Sequence, residues 1–97
     1  MTLSVLVPLF NEEKTIAIVL QKLLAQKAVT EIIVVDDGST DKSASVVKKM
    51  AQKAKKIKFF HKENAGKGSA IRYALKQATG DYVLIQDADL EYDPEEI

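Results

Sequence analysis

Residues 32–41 read Ile-Ile-Val-Val-Asp-Asp-Gly-Ser-Thr-Asp, an apolar run that ends abruptly in a polar segment. Four consecutive β-branched residues predict a strand that is buried on both faces, as in parallel sheets covered by helices. The Asp-Gly-Ser-Thr-Asp segment then supplies turn residues and candidate helix N-caps. This stretch therefore predicts a buried strand that ends in a polar loop and leads into a helix.

The same succession of strand, loop and helix is repeated along the chain. Three further short runs predict strands: Leu3–Val7, Ile57–Phe60 and Tyr82–Ile85. Between the strands, apolar residues recur at the spacing of amphipathic helices. They are Ile16, Val19, Leu20, Leu23 and Leu24, then Val47, Met50, Ala51 and Ala54, then Ile71, Ala74, Leu75 and Ala78. We expect Gly80 to cap the third helix at its C-terminus.

Strands that alternate with helices need crossover connections, so the predicted fold class is α/β with a mainly parallel sheet. The segment Ile57-Lys58-Phe59 alternates between apolar and polar residues, which is typical of an edge strand, whereas the other three runs are almost continuously apolar. Right-handed crossovers then favour the strand order 3-2-1-4 in a three-layer sandwich. Ligands of such sheets bind at the carboxyl ends of the strands, beside the point where the order reverses.

The composition is that of a folded chain with one domain. The 97 residues are 46% hydrophobic and 29% charged, and they include no cysteine and one histidine, His61. Disulfides, thiolate nucleophiles, zinc-thiolate sites and histidine-rich metal sites are therefore excluded. The apolar runs are far too short for a membrane span. We expect a cytoplasmic protein that would meet a membrane only peripherally.

The net charge is zero, but the charges are segregated along the sequence. Eight lysines and no acid lie between Lys42 and Lys62, and seven acids and no base lie between Asp81 and Glu96. The lysines fall mainly on the second helix, where they are typical of a solvated face, so we expect no nucleic-acid partner. The acids repel one another within a loop unless a cation holds them.

Two segments at the predicted rim are similar to phosphate and cation motifs without matching them. Gly66-Lys67-Gly68 lacks the Ser or Thr that a Walker A loop requires after the lysine, which leaves a lysine at a helix N-terminus, where anions bind. Asp87-Ala88-Asp89 continues with Glu91 and Asp93, yet Tyr92 stands where an EF-hand requires glycine. Two carboxylates one residue apart can still hold a hard cation that binds substrate phosphates.

Each rim segment also has a purely structural interpretation. Asn11–Glu13 can cap the first helix, and Asp36–Asp41 can form a turn and cap the second. The pair Asp93-Pro94 can begin another helix. The number of acids exceeds what capping needs, which favours a binding site at this rim.

Four motifs in order carry a resemblance to a known family. They are Val7-Pro8-Leu9-Phe10-Asn11-Glu12-Glu13, Val34-Val35-Asp36-Asp37-Gly38-Ser39-Thr40-Asp41, Asn64-Ala65-Gly66-Lys67-Gly68 and Gln86-Asp87-Ala88-Asp89-Leu90-Glu91-Tyr92-Asp93-Pro94. Over essentially its whole length the chain resembles the family 2 glycosyltransferases of the GT-A fold, and among them the dolichyl- and polyprenyl-phosphate mannose and glucose synthases. The resemblance implies inverting transfer of a hexose from UDP- or GDP-hexose, a nucleotide diphosphate sugar, to an acceptor that is often a polyprenyl phosphate.

The resemblance also implies roles for the rim residues. Pro8, Phe10 and Glu12 would line the nucleoside pocket. Asp37 would contact the base or ribose, and Lys67 would approach the nucleotide. The catalytic residues would be the two acids of a DxD motif, which bind Mg²⁺ or Mn²⁺ and so neutralise the leaving diphosphate; they are Asp87 and Asp89. The full set expected to bind the donor is Pro8, Phe10, Asn11, Glu12, Asp36, Asp37, Lys67, Asp87, Ala88 and Asp89.

Family members continue well past the fourth motif, whereas this sequence ends at Ile97. We therefore expect residues 1–97 to be the nucleotide-sugar-binding half of a glycosyltransferase domain, truncated before any catalytic base. A haloacid-dehalogenase-type phosphatase is disfavoured, because Glu91 stands where that family has Thr or Val. A non-catalytic nucleotide-binding or assembly module is the open alternative. The strand Tyr82–Ile85 has no predicted neighbour on its far side, so we expect self-association through it.

Overall fold

The computed structural model describes residues 1–89, which form four strands and three helices in strict alternation. In chain order they are β1 (Leu3–Leu9), α1 (Ile16–Leu24), β2 (Glu31–Asp37), α2 (Ser43–Lys53), β3 (Ile57–Lys62), α3 (Lys67–Gln77) and β4 (Tyr82–Ile85). None of these three helices is long and apolar enough to cross a membrane. The predicted α/β class is confirmed.

The four strands form one parallel sheet in the order β3-β2-β1-β4, which confirms the predicted order. β1, β2 and β3 each continue two residues beyond the apolar runs, toward their carboxyl ends. Leu9 pairs with Asp36, and Asp36 pairs with His61, so main-chain pairing continues past the last apolar residue of β2 and of β3. The polar residues at this rim are therefore held in place by the sheet itself.

Helices cover both faces of the sheet and give it three layers. On one face α1 and α2 pack against β1 and β2, in a core that includes Leu20 and Val34. On the other face α3 packs against the same two strands through a smaller core, made of Leu6, Ile33, Val35, Ala70 and Ala74. Because side chains alternate along a strand, Asp36 lies on the face of α1 and α2, whereas Asp37 lies on the face of α3.

Gly80 does not cap α3, so that prediction is wrong: the helix ends at Gln77, with Ala78 as its C-cap. Gly80 lies instead against the start of β1. Its N–H donates to Ser4 Oγ at 2.8 Å, and a Cβ atom at this position would lie 2.6 Å from the same oxygen. The close approach of two chain segments therefore requires glycine here, and sequence periodicity does not reveal that approach.

A buried carboxylate, Glu31, ties the connection before β4 to the amino ends of the strands. It accepts hydrogen bonds from Ser4 Oγ at 2.5 Å, Lys58 Nζ at 2.6 Å, and the N–H and hydroxyl of Thr79 at 2.6 and 2.9 Å. Burial alone would raise the pKa of Glu31, but these hydrogen bonds outweigh burial and lower the pKa to about 2. This cluster lies at the end of the sheet opposite the rim.

The strand β4 lies at an edge and hydrogen-bonds to β1 alone within residues 1–89. Its four side chains are all apolar, and they are 39–56% exposed. The continuous apolar pattern is typical of a central strand, but the described residues leave one side of β4 unpaired.

Candidate functional site

A cavity opens at the carboxyl rim of the sheet, beside the reversal of strand order between β1 and β4. Its volume is about 290 Å³, near the lower end for small-molecule sites. The residues that line it are Pro8, Leu9, Phe10, Glu12, Asp37, Asn64, Gly66, Lys67, Ala70, Asp87, Ala88 and Asp89. Four segments that are distant in sequence therefore converge on one site.

Eight of the ten residues expected to bind a donor line this cavity. These eight are Pro8, Phe10, Glu12, Asp37, Lys67, Asp87, Ala88 and Asp89. The other two, Asn11 and Asp36, do not line the cavity and make hydrogen bonds within the neighbouring loops.

Asn11 joins the loop after β1 to the loop after β2. Its N–H donates to Ser39 Oγ at 2.9 Å, and its Oδ1 accepts the N–H groups of Thr40 at 2.8 Å and Asp41 at 3.3 Å. Its φ of +52° lies in the left-handed region, which asparagine tolerates better than most residues. The N-cap of α1 is Thr15, which makes no capping hydrogen bond through its side chain. The first turn of α1 contains no acid either, so the interpretation that Asn11–Glu13 cap this helix is wrong. Asn11 instead accepts N–H groups of the loop before α2.

Asp36 is fully buried on the face of α1 and α2, away from the cavity. Its Oδ1 accepts the N–H of Ser39 at 3.1 Å. Its Oδ2 lies 2.9 Å from Nδ1 of His61, the last residue but one of β3. Asp36 thus holds the turn after β2 and connects it to the neighbouring strand. This is the turn-forming role that the structural interpretation of the segment predicts.

Asp41 supports the start of α2 in a similar way. It accepts the N–H of Ser43 at 2.9 Å and the N–H of Glu13 at 3.2 Å. Burial alone would raise the pKa of Asp41, but its hydrogen bonds with Ser43 and Glu13 outweigh burial and lower it. Asp41 is therefore an ionised residue that supports the first turn of α2 and does not line the cavity. The N-cap of α2 is Lys42, which makes no side-chain capping hydrogen bond.

Asp37 both lines the cavity and binds the loop between β3 and α3. Its Oδ1 accepts the N–H of Ala65 at 2.9 Å and Lys62 Nζ at 3.0 Å, and its Oδ2 accepts the N–H of Gly66 at 2.9 Å. Burial alone would raise the pKa of Asp37, but the donors from Ala65, Lys62 and Gly66 hold the pKa below its ordinary value. Asp37 is therefore a carboxylate at neutral pH.

Asp87 and Asp89 follow β4 and also line the cavity. Lys67, the first residue of α3, donates from Nζ to Asp87 Oδ1 in an ion pair. Thr15 Oγ1 donates to the carbonyl oxygen of Ala88 at 2.6 Å, which ties this segment to the start of α1. Asp89 is exposed and lines the cavity beside them.

The charge of the cavity wall favours a cation. Four carboxylates line it, from Glu12, Asp37, Asp87 and Asp89, together with one lysine ammonium. Residues 1–89 contain no group of three or more acids and histidines that could hold a metal ion by themselves. Mg²⁺ in nucleotide sites is commonly held by one or two carboxylates together with substrate phosphates and waters, and Asp87 and Asp89 fit that donor set.

Glu91 and Asp93, which the sequence adds to this acidic segment, lie outside the described residues, as does the predicted helix start at Asp93-Pro94. Four residues that line the cavity were not among the predicted site residues: Leu9, Asn64, Gly66 and Ala70. Asn64 and Gly66 could have been included, because they belong to a polar loop at the carboxyl end of β3. Nothing in the sequence indicates that Ala70 belongs to a site, because it is only one small residue on the buried face of α3.

The chain is similar to proteins of known class. The sequence model of glycosyl transferase family 2 matches residues 4–97. The chain is 40% identical over 100 residues to the undecaprenyl-phosphate 4-deoxy-4-formamido-L-arabinose transferase of Photorhabdus laumondii, a match that covers 97% of this chain and 31% of that protein. It is 37% identical over 93 residues to the uncharacterized glycosyltransferase YibD of Escherichia coli, covering 95% of this chain and 27% of that protein.

Solved structures of other proteins are also similar to this chain, in both fold and sequence. S. aureus TarS, residues 1–349 in complex with UDP, has a TM-score of 0.82 and 39% identity, over 92% of this chain and 28% of that one. The mannosyltransferase PcManGT from Pyrobaculum calidifontis, in complex with GDP-Man and Mn²⁺, has a TM-score of 0.83 and 34% identity, over 90% of this chain and 27% of that one. The chain therefore spans less than a third of the length of these relatives.

Proposed function

Since the chain belongs to glycosyl transferase family 2 and has the GT-A fold of its solved relatives, we propose that the whole protein transfers a sugar from a nucleotide diphosphate sugar to an acceptor, with inversion at the anomeric carbon. Residues 1–97 are then its donor-binding part. The observation that supports this proposal most directly is the acidic cavity at the carboxyl rim, where four distant segments meet.

The residues that line the cavity suit the two halves of a nucleotide. Pro8 and Phe10 lie at the carboxyl end of β1, and Phe10 is 46% exposed, so it offers an aromatic surface to a base. Lys67 and the pair Asp87 and Asp89 line the same cavity, and there a diphosphate would meet both an ammonium and a bound cation. We assign the nucleoside to Pro8 and Phe10 and the diphosphate to Lys67, Asp87 and Asp89.

A divalent cation is the cofactor that this donor set fits. Mg²⁺ or Mn²⁺ held by Asp87 and Asp89 would supply Lewis-acid neutralisation of the charge that develops on the leaving diphosphate. The Mn²⁺ complex of PcManGT supports this assignment. The two carboxylates thus act electrostatically, and neither is required to transfer a proton.

The proposed acceptor is a polyprenyl phosphate. The name of the Photorhabdus relative couples its sugar to undecaprenyl phosphate, which is a lipid of this class. A phosphate acceptor is already anionic, so it needs little help from a general base. A lipid acceptor would bring the whole protein to a membrane surface, and we propose peripheral contact on its cytoplasmic face.

The donor sugar is open to direct measurement. The name of the Photorhabdus relative includes a pentose derivative, whereas solved complexes hold hexose donors, namely GDP-Man in PcManGT and UDP-GlcNAc in a further complex of S. aureus TarS. Titration calorimetry with UDP, GDP, UDP-glucose, GDP-mannose and UDP-L-arabinose, each with and without Mn²⁺, would identify the base and sugar. Failure of every nucleotide to bind in Mn²⁺ would refute the proposed function.

The metal is tested with one variant and a matched control. Asp89→Asn should lower nucleotide affinity in Mn²⁺ by about 2 to 4 kcal/mol, because it removes one of the two charged ligands. Asp81→Asn is the control: Asp81 is an exposed acid that hydrogen-bonds Thr2 and does not line the cavity. Equal affinity in EDTA and in Mn²⁺ would contradict the metal assignment while leaving nucleotide binding intact.

We also propose that this chain by itself self-associates through β4. The strand has an unpaired edge within residues 1–89, its side chains are 39–56% exposed, and none of the four carries a charge that would discourage pairing. A second copy related by a two-fold axis could extend the sheet by antiparallel pairing of the two β4 strands.

A further inference from the structure

The outward face of α2 carries charge of one sign. Its exposed side chains form a single stripe along the helix: Ser45, Lys48, Lys49, Gln52 and Lys53. Exposed lysines also stand at both ends of the helix, one at its N-cap and two in the turn before β3. Together these residues make a lysine surface, which consists of Lys42, Lys48, Lys49, Lys53, Lys55 and Lys56. It runs the length of α2, from the rim to the opposite end of the sheet.

The lysine surface is not neutralised by acids. None of its six lysines forms an ion pair with an acid of residues 1–89. Of the four acids between positions 14 and 62, three are buried: Glu31, Asp36 and Asp37. The fourth, Asp41, accepts the N–H groups of Ser43 and Glu13. The lysine surface therefore presents its positive charge to whatever lies outside the protein.

This arrangement is unfavourable for the helix itself. Lys49 and Lys53 are four residues apart, so two like charges are neighbours on one side of α2 and destabilise it. Lys42 places a cation at the N-terminus, where the helix dipole favours anions, and the first turn contains no acid. A helix face that contacts only water usually mixes both signs and gains from pairs of opposite charge. Because departures from such local rules are expected at functional sites, the lysine surface indicates an anionic partner.

The chemistry of the lysine surface favours phospholipid headgroups over a nucleic acid. Single-stranded nucleic acids are bound by exposed aromatic rings, yet residues 42–58 contain no aromatic residue. The ring nearest to the surface belongs to Phe59, which is partly buried against the core with Lys48 Nζ 5.9 Å from its centre. The apolar side of α2 packs on the sheet, where Val47 is buried, so the helix has no free apolar face to insert into a bilayer. What it offers is a row of ammonium groups, which suits anionic lipid phosphates.

We propose that the lysine surface docks the protein on the anionic phospholipid headgroups of the membrane that holds its acceptor. This inference rests on the proposed function, because a polyprenyl phosphate acceptor requires the protein to reach a membrane, and it assigns the surface that makes the contact. None of the six lysines lines the cavity, so membrane contact and nucleotide binding use separate surfaces. The contact is electrostatic and stays at the level of the headgroups.

Vesicle co-sedimentation tests the docking directly. At low salt we expect the chain to bind vesicles of equal parts phosphatidylglycerol and phosphatidylcholine, and not to bind vesicles of phosphatidylcholine alone. Each lysine near an anionic membrane should strengthen binding about fivefold. Binding should disappear in about 1 M salt, where the Debye length falls to about 3 Å.

Two double variants with the same change of charge locate the contact. Lys49→Gln with Lys53→Gln removes two charges four residues apart on α2, and Arg72→Gln with Lys76→Gln removes two exposed charges at the same spacing on α3. The α2 variant should weaken binding to the anionic vesicles about 25-fold. The α3 variant should weaken it less than about twofold, because the whole sheet separates α3 from the membrane and the Debye length is about 8 Å at physiological ionic strength.

Both variants should fold and keep the donor site. None of the four substituted residues lines the cavity, so circular dichroism and the binding of UDP or GDP in Mn²⁺ should match those of the unaltered chain. Nucleotide binding is measured without vesicles, and vesicle binding is measured without nucleotide. If no nucleotide binds while the vesicle results hold, the proposed function fails and the docking surface stands.

Three results would overturn the inference alone. The first is a chain that binds nucleotide but does not bind anionic vesicles at low salt. The second is an equal loss of vesicle binding in the α2 and α3 variants, since the attraction would then come from total charge and not from the lysine surface. The third is an α2 variant that binds single-stranded RNA more weakly with unchanged vesicle binding, because the lysine surface would then serve a nucleic acid.

Discussion

Glu31→Gln removes a negative charge from the buried cluster at the amino ends of the strands, and we expect it to destabilise the fold. The carboxylate accepts four hydrogen bonds, one of them from the ammonium of Lys58. A glutamine side chain keeps one acceptor oxygen but turns the other position into a donor, which faces the donors of Ser4, Lys58 or Thr79. Several buried groups then lose a partner at once.

The magnitude follows from the pKa of Glu31, which is lowered from its ordinary value of 4.5 to about 2. At about 1.4 kcal/mol for each pH unit, this difference corresponds to about 3 kcal/mol of stability. Because the unfolded chain binds the proton more readily than the folded chain, the contribution is complete above about pH 4.5. It is lost as the pH falls from about 4.5 toward 2.

Urea unfolding monitored by circular dichroism from pH 7 to pH 2 measures both effects. At pH 7 we expect Glu31→Gln to lower the free energy of unfolding by about 3 kcal/mol, and below pH 4.5 the difference from the unaltered chain should shrink. Glu63→Gln, which changes an exposed glutamate, serves as the control. An unchanged midpoint at pH 7, or a difference that stays constant down to pH 2, would refute the reasoning.

Three further predictions concern the cavity, the sheet edge and the α3–β4 connection. Lys67→Ala should weaken binding of UDP about tenfold more than binding of uridine, because an ammonium binds phosphate; equal losses in calorimetry would contradict this role. Lysine in place of Val83 or Ile85 should convert a dimer into a monomer in light scattering, whereas an unaltered chain that is already monomeric at high micromolar concentration would exclude self-association. Gly80→Ala should lower the free energy of unfolding by about 1 to 3 kcal/mol, because the added Cβ meets the start of β1. Gly68→Ala, where a Cβ would meet only a flexible side chain at 3.4 Å, should not destabilise the fold in the same denaturation assay.

The two adjacent acids Asp36 and Asp37 show which features of the site a sequence pattern predicts and which it does not. Both follow the same apolar run, so both were expected at the rim and both were assigned to donor binding. Alternation along β2 sends them to opposite faces of the sheet, and the cavity lies on the face of Asp37. The sequence shows that the two side chains diverge, but it does not show which loop packs against which face.

By itself, the sequence determined the α/β class, the strand order and the rim where polar residues collect, because periodicity and right-handed crossovers leave few arrangements. Only the tertiary structure decided which rim residues enter the cavity and which support its loops. The partners of Asn11, Asp36 and Asp37 outside their own turns lie 25 to 30 residues away in the chain. Those hydrogen bonds form only when separate loops pack together, and local patterns carry no information about that packing.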